Sequence, residues 1–205
     1  MFRDRAAAGR VLAAMLEKFR RTETLVLAIP AGGVPVAAEI VLALDLPLAL
    51  APVSKVLLPW TTESGFGAVA FDGTEWIDEE AAQSHGLSAA QVAKAVEEAR
   101  AKVRRRTRAM PDITGRATIL VDDGIAAGST MRTAVAALRK QRATTVVVAV
   151  PTAHKHSYEI IGKLADEIYC PNVRAGFRFA VADAYEEWHD LSDEEVQALL
   201  AKAQR

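Results

Sequence analysis

Four short apolar runs, each followed by a stretch of helical period, limit what this chain can fold into more than any other feature. They are residues 24–29, 46–53, 117–121 and 144–150, the last reading Thr144-Thr145-Val146-Val147-Val148-Ala149-Val150; a fifth, shorter run covers 167–170. A strand covered on both faces reads as an unbroken run rather than as an alternation. Between the runs the apolar residues recur at helical spacing. Val11, Leu12, Met15, Leu16 and Phe19 predict a helix over 6–20, and further helices are expected over 34–44, 79–84, 88–108, 130–140, 154–164 and 193–202. Pro35 is tolerated in a first turn, Ser88 with Gln91 makes a capping-box pattern, and Ser192 caps the last helix. Buried strands alternating with helices specify an α/β fold of three layers: a central, mostly parallel sheet of about five strands flanked by helices. In such sheets ligands bind beyond the carboxyl ends of the strands.

Residues 54–74 interrupt the alternation. Pro59, Trp60, Gly65, Gly67 and Gly73 are mixed there with polar residues, and a short strand is expected over 66–71. The chain is expected to be one domain over 1–205, with a small lid at about 54–78 and a hood or tail at about 171–205.

Composition removes several classes of function. With 51% hydrophobic residues the chain has ample apolar area to fold. Lys+Arg 25 against Asp+Glu 26 gives a net charge of −1, too balanced for a global grip on nucleic acid. Cys170 stands alone, so no internal disulfide and no thiolate metal cluster can form, which suits a reducing, cytoplasmic setting. The first residues lack the pattern of a signal peptide, and the apolar stretch at 40–53 is broken by Asp45, Pro47 and Pro52, so no membrane span is expected.

Two glycine-bearing loops leave strands. The informative one is Val121-Asp122-Asp123-Gly124-Ile125-Ala126-Ala127-Gly128-Ser129-Thr130. An apolar strand stops at two carboxylates, small residues follow, and a helix starts at two hydroxyls. Small residues let backbone approach a ligand, and the unpaired N–H groups of a helix start favour an anion. The carboxylates would repel that anion and instead suit sugar hydroxyls or a divalent cation. Anion at one end and polyol at the other describe a ribose phosphate. A Walker A loop is excluded because Gly124 and Gly128 are too close and no lysine follows; a dinucleotide fingerprint lacks its third glycine. The other loop is Pro30-Ala31-Gly32-Gly33.

Those residues resemble the diphosphate-sugar signature of the type I phosphoribosyltransferases. Ile29-Pro30-Ala31-Gly32-Gly33-Val34-Pro35-Val36-Ala37, Gly65-Phe66-Gly67-Ala68-Val69 and the acidic tail at 185–200 extend the similarity to an uncharacterised bacterial and archaeal branch of that family. The resemblance implies Mg²⁺-dependent transfer of a 5-phosphoribosyl group from phosphoribosyl pyrophosphate to a nucleobase-like nitrogen. Asp122 and Asp123 would be the catalytic pair, hydrogen-bonding the ribose hydroxyls and meeting Mg²⁺ through the substrate. Ala126, Ala127, Gly128, Ser129 and Thr130 would cradle the 5′-phosphate. Ala31, Gly32 and Gly33 would form the pyrophosphate loop, with Lys55 close by. A homodimer is the commoner assembly of the fold. Ala31 stands where a basic or bulkier residue is usual, Ala127 where Thr is usual, and Ala126 where some members carry an Asp that assists proton transfer.

Other features read more plainly. Arg100, Lys102, Arg104, Arg105, Arg106 and Arg108 form a basic run without interleaved aromatics, which describes a solvated helix face rather than a nucleic-acid surface. His154 and His156 point apart on a helix and read as surface residues. Trp60, Phe66, Trp76, Phe177, Phe179 and Tyr185 could stack on an acceptor, although core packing is the commoner fate of such rings. The alternative function is a non-catalytic regulator that binds phosphoribosyl pyrophosphate or a nucleotide and uses the basic helix for a partner such as RNA.

Overall fold

β1 (Leu25–Ala28) is buried along its whole length, and the strands beside it explain why. A computed structural model describes residues 1–62, 64–107, 110–176 and 178–203. After α1 (Arg5–Met15), capped by Asp4 accepting from Ala7 N at 2.6 Å, the chain enters β1, then α2 (Gly33–Leu44) and β2 (Leu48–Leu50). It returns to the sheet through β6 (Ala117–Val121), α5 (Ser129–Lys140), β7 (Thr145–Ala149) and, after β8 (Thr152–His154) and α6 (Lys155–Gly162), β9 (Glu167–Tyr169). The five strands pair in parallel in the order β2-β1-β6-β7-β9. The expected sheet is thus present, flanked by helices on both faces. Alternate residues serve opposite faces. Leu25, Leu27, Leu120, Val146 and Val148 pack into one core with α5, and Val26, Ala28, Ile119, Val121 and Val147 pack into the other with α1, α2 and α7 (Asp193–Ala203).

The strand order positions the site. From β1 the chain steps outward to β2 on one side, whereas from β6 it steps to β7 and β9 on the other. The crevice of such a sheet opens between β1 and β6, beyond their carboxyl ends. The two glycine-bearing loops leave from those two strands.

One expected strand divides in two. Residues 46–53 form β2 only at Leu48–Leu50, and Val53 begins β3 (Val53–Leu57), which leaves the parallel sheet. Pro52 between them has no N–H to continue a ladder. β3, β4 (Gly65–Ala70) and β5 (Glu75–Ile77) make a separate antiparallel sheet in that order. With α3 (Glu79–Ser84) and α4 (Ala89–Arg106) they enclose a small core of Val56, Leu58, Phe66, Val69, Ala82, Val96, Ala99 and Val103. Both halves of the Ser88–Gln91 capping box form. α4 ends at Arg106, and Arg108, the last basic residue of the run, lies outside the described residues. β8 and β10 (Asn172–Arg174) add a parallel pair that no apolar run announced, since each is three residues long. Among the described residues no helix is long and apolar enough to cross a membrane.

Candidate active site

At the end of β6 the chain turns through Asp122 and Asp123 into a loop braced from below. Ile125 N donates to Thr152 O at 2.9 Å and His154 N donates to Ile125 O at 2.8 Å, which bridges the loop to β8. Ser157 Oγ donates to Ala126 O at 2.6 Å. Gly128 then takes φ +83° directly before α5, a left-handed conformation that glycine adopts without penalty. The bracing consumes carbonyls and the Ile125 amide. Among the described residues none accepts a hydrogen bond from the backbone amides of Ala126, Ala127, Gly128, Ser129 or Thr130. These are orphan donors at the positive end of a 12-residue helix, as anion binding requires.

The loop after β1 is pressed against the same turn. A Cβ on Gly32 would collide with the Asp123 carboxylate, and one on Gly33 would lie 2.6 Å from Val121 O. Only glycine allows that approach. Gly33 N already donates to Ile29 O at 3.0 Å, so Ala31 and Gly32 form the part of this loop that faces the cavity. The peptide between Pro30 and Ala31 is cis.

The cavity between these loops has a volume of about 830 Å³ and is lined by both aspartates, by Ala126 through Thr130, by Ala31 and Gly32, and by Lys55 from β3. Every candidate residue except Gly33 therefore reaches one cavity, and Gly33 supports its wall. Phe179 and Trp188 also line it.

The carboxylates are not equivalent. Asp122 accepts from Asp123 N at 2.9 Å. Burial, and then the neighbouring Asp123 charge, push its carboxyl well above the usual range, against the pull of that N–H, Lys55 and Arg5. Burial also raises Asp123, opposed first by the Arg5 charge. Arg5 Nε donates to Asp123 Oδ2 at 2.8 Å in a nearly buried ion pair, with side-chain exposures of 9% and 15%. Arg5 Nη1 donates to His189 O at 2.9 Å, and its Cζ lies 3.7 Å above the Trp188 ring. Tyr185 Oη donates to Asp123 O at 2.6 Å. The sequence reading missed Arg5, because an arginine in a first helical turn looks like any other surface charge.

The aromatic candidates separate. Phe66 is core and Tyr185 is buried beneath Asp123. Trp60 is exposed and meets His85 edge-on, Trp76 stacks with Arg132, and Phe179 meets His154 edge-on at the cavity wall. Phe177 lies outside the described residues. His154 Nε2 is spent on Gly176 O at 3.1 Å. Among the described residues no cluster of three or more His, Cys, Asp or Glu is arranged to hold a metal ion. A pair of carboxylates beside an open cavity still fits Mg²⁺, which prefers water and substrate oxygens to an all-protein cage.

A family model described as "Phosphoribosyl transferase domain" matches residues 4–184. A Mycobacterium tuberculosis protein named "Putative phosphoribosyl transferase Rv0571c" is 37% identical over 212 residues, covering 100% of this chain and 47% of the relative. The chain thus spans about half the length of that curated relative. The crystal structure of TT1426 from Thermus thermophilus is 32% identical, superposes with a TM-score of 0.75 and covers 97% of each chain. A hypoxanthine phosphoribosyltransferase from Staphylococcus aureus shares the fold at 13% identity, with a TM-score of 0.50, covering 84% of this chain and 72% of that one.

Proposed function

The chain belongs to the phosphoribosyl transferase domain family, and from that premise we propose that it transfers a 5-phosphoribosyl group from phosphoribosyl pyrophosphate to a nitrogen acceptor, releasing pyrophosphate. The observation that carries this reading is the row of unspent amides at 126–130 facing a carboxylate pair across one cavity. In this reading the amides of Ala126 through Thr130 and the Ser129 and Thr130 hydroxyls hold the 5′-phosphate. Asp122 and Asp123 accept from the ribose hydroxyls. Ala31 and Gly32 offer backbone to the pyrophosphate, and Lys55 adds positive charge at the rim.

The bond from ribose C1 to pyrophosphate breaks, its electron pair leaving with pyrophosphate, and the acceptor nitrogen forms the new bond to C1. Positive charge builds on the ribose ring, where fixed carboxylates stabilise it. Asp122 and Asp123 are the residues that would hold Mg²⁺, which would supply charge neutralisation for the leaving pyrophosphate. Residues 54–78 act as the lid that keeps water from replacing the acceptor. Homodimerisation and a cytoplasmic setting belong to the same reading.

The test pairs calorimetric titration of phosphoribosyl pyrophosphate and Mg²⁺ with a pyrophosphate-release screen across purine, pyrimidine and other nitrogen acceptors. The expected result is saturable binding, and release with at least one acceptor that falls about a hundredfold or more in Asp122→Asn. Binding without release for any acceptor would convert the reading to a regulator. Absence of binding, with Asp122→Asn and Asp123→Asn behaving as wild type, would overturn it.

A further inference from the structure

The guanidinium of Arg5 is held on three sides: by Asp123 Oδ2, by the His189 carbonyl and by the face of Trp188. These contacts use Nε and Nη1. Among the described residues none accepts a hydrogen bond from Nη2. Nη2 is not a buried orphan either; among the described residues Arg174 Nη1 is the side-chain atom in that condition. Arg5 itself is only 8% exposed and is one of the residues that line the cavity. In the planar fork of a guanidinium Nε and Nη2 lie along one edge. With Nε on Asp123 Oδ2, the Nη2 donor therefore projects beside the Asp123 carboxylate. Arg5 engages Oδ2 alone and leaves Oδ1.

A carboxylate acceptor and a guanidinium donor side by side match one chemical group. A hydroxyl donates to the first and accepts from the second. A C–H does neither and leaves both groups desolvated without a partner. We propose that Arg5 and Asp123 together read one hydroxyl of the bound pentose, making Arg5 a specificity-determining residue that selects ribose over a deoxy sugar. This rests on the phosphopentose reading of the site and adds to it a residue from the first helix, 118 positions away in sequence. A structural role alone, in which Arg5 merely keeps Asp123 in place, makes a different forecast.

The experiment is calorimetric titration of the full chain with inorganic phosphate, ribose 5-phosphate and its 2-deoxy and 3-deoxy analogues. Wild type, Arg5→Lys and Arg5→Gln are compared, each checked for folding by thermal unfolding. In wild type one deoxy analogue binds about ten- to a hundredfold more weakly than ribose 5-phosphate. In Arg5→Gln that ratio shrinks to within about threefold, while inorganic phosphate binds equally to all three proteins. Arg5→Lys can keep the ion pair but not span both atoms, so its ratio falls between the two; it decides the matter if Arg5→Gln does not fold. A ratio preserved in the variants overturns the proposal. Equal weakening of all four ligands also overturns it, and would mark a structural role or a contact to phosphate instead. If ribose 5-phosphate binds wild type but both deoxy analogues bind as well, this inference alone falls. If neither it nor inorganic phosphate binds, the reading of the loop falls too.

Discussion

Asp122 is a carboxyl held at a cost in stability. Its carboxyl is raised by burial and by Asp123, so folding carries a cost once Asp122 must ionise. A carboxylate raised in the folded state binds more protons there than in the unfolded chain, and stability falls as pH rises above the unfolded value of about 4. Asp122→Asn should therefore melt about 2–4 °C higher than wild type at neutral pH, without ligand, and the gap should close below about pH 4. Scanning calorimetry at several pH values checks this; a variant that melts lower at pH 7 would contradict it. Gly128 makes the opposite case. Alanine there would hold φ +83° with its Cβ 3.3 Å from that of Ser157. Gly128→Ala should lose about 1–2 kcal/mol in urea unfolding and weaken phosphate binding. Cys170 follows the same physics: it is partly buried, and burial pushes its thiol up to about 11, so little of it is thiolate near neutral pH. It should react with a thiol reagent at pH 7.5 more slowly than the same thiol in the urea-unfolded chain, and faster as pH rises, as timed mass spectrometry would show; equal rates in the two states would contradict this.

At the scale of elements, the loop at 122–130 is braced by its neighbours. β8 pairs with Ile125, and Ser157 from α6 holds Ala126 O. Ser157→Ala removes that bond, and the expected cost is about 1 kcal/mol of stability. Phosphate affinity should fall severalfold although Ser157 does not line the cavity; unchanged affinity would show the loop to be stiff without it. The larger elements were legible beforehand because their signals are local. The buried runs named four sheet strands, and Ser88 with Gln91 named the start of α4. The division of 46–53 was not legible. An apolar run cannot state which sheet it joins, and Val53 pairs with Ala70 rather than with β1. Two members of the basic run are paired on the exposed face of α4. Arg100 reaches Glu75 and Glu97, and Arg104 reaches Glu97.

Across the whole molecule, the first residues close against the segment at 184–187. Phe2 N donates to Ala184 O at 2.8 Å and Glu186 N to Phe2 O at 2.9 Å, which brings Arg5 to Asp123 and seats Tyr185 beneath it. Tyr185→Phe strips the hydroxyl donor from the Asp123 carbonyl and should cost about 1–3 kcal/mol. Ligand should slow hydrogen exchange at 122–130 and also at 2–5 and 184–189, and exchange unchanged at those two segments would show that the clasp is uncoupled from the site. The candidate residues at 31–33 and 122–130 were readable because each loop carries its chemistry within a few consecutive positions: glycines for close approach, carboxylates, and a helix start. The alternation of apolar runs and helical periods determined the parallel sheet in the same local way, since burial on both faces leaves its mark on every residue of a strand. Which strand lies beside which is a long-range choice, and so is the joining of residues 5, 123, 185 and 188 at one corner. Only the folded chain decided these, because packing brings together side chains whose separation in sequence leaves no pattern to read.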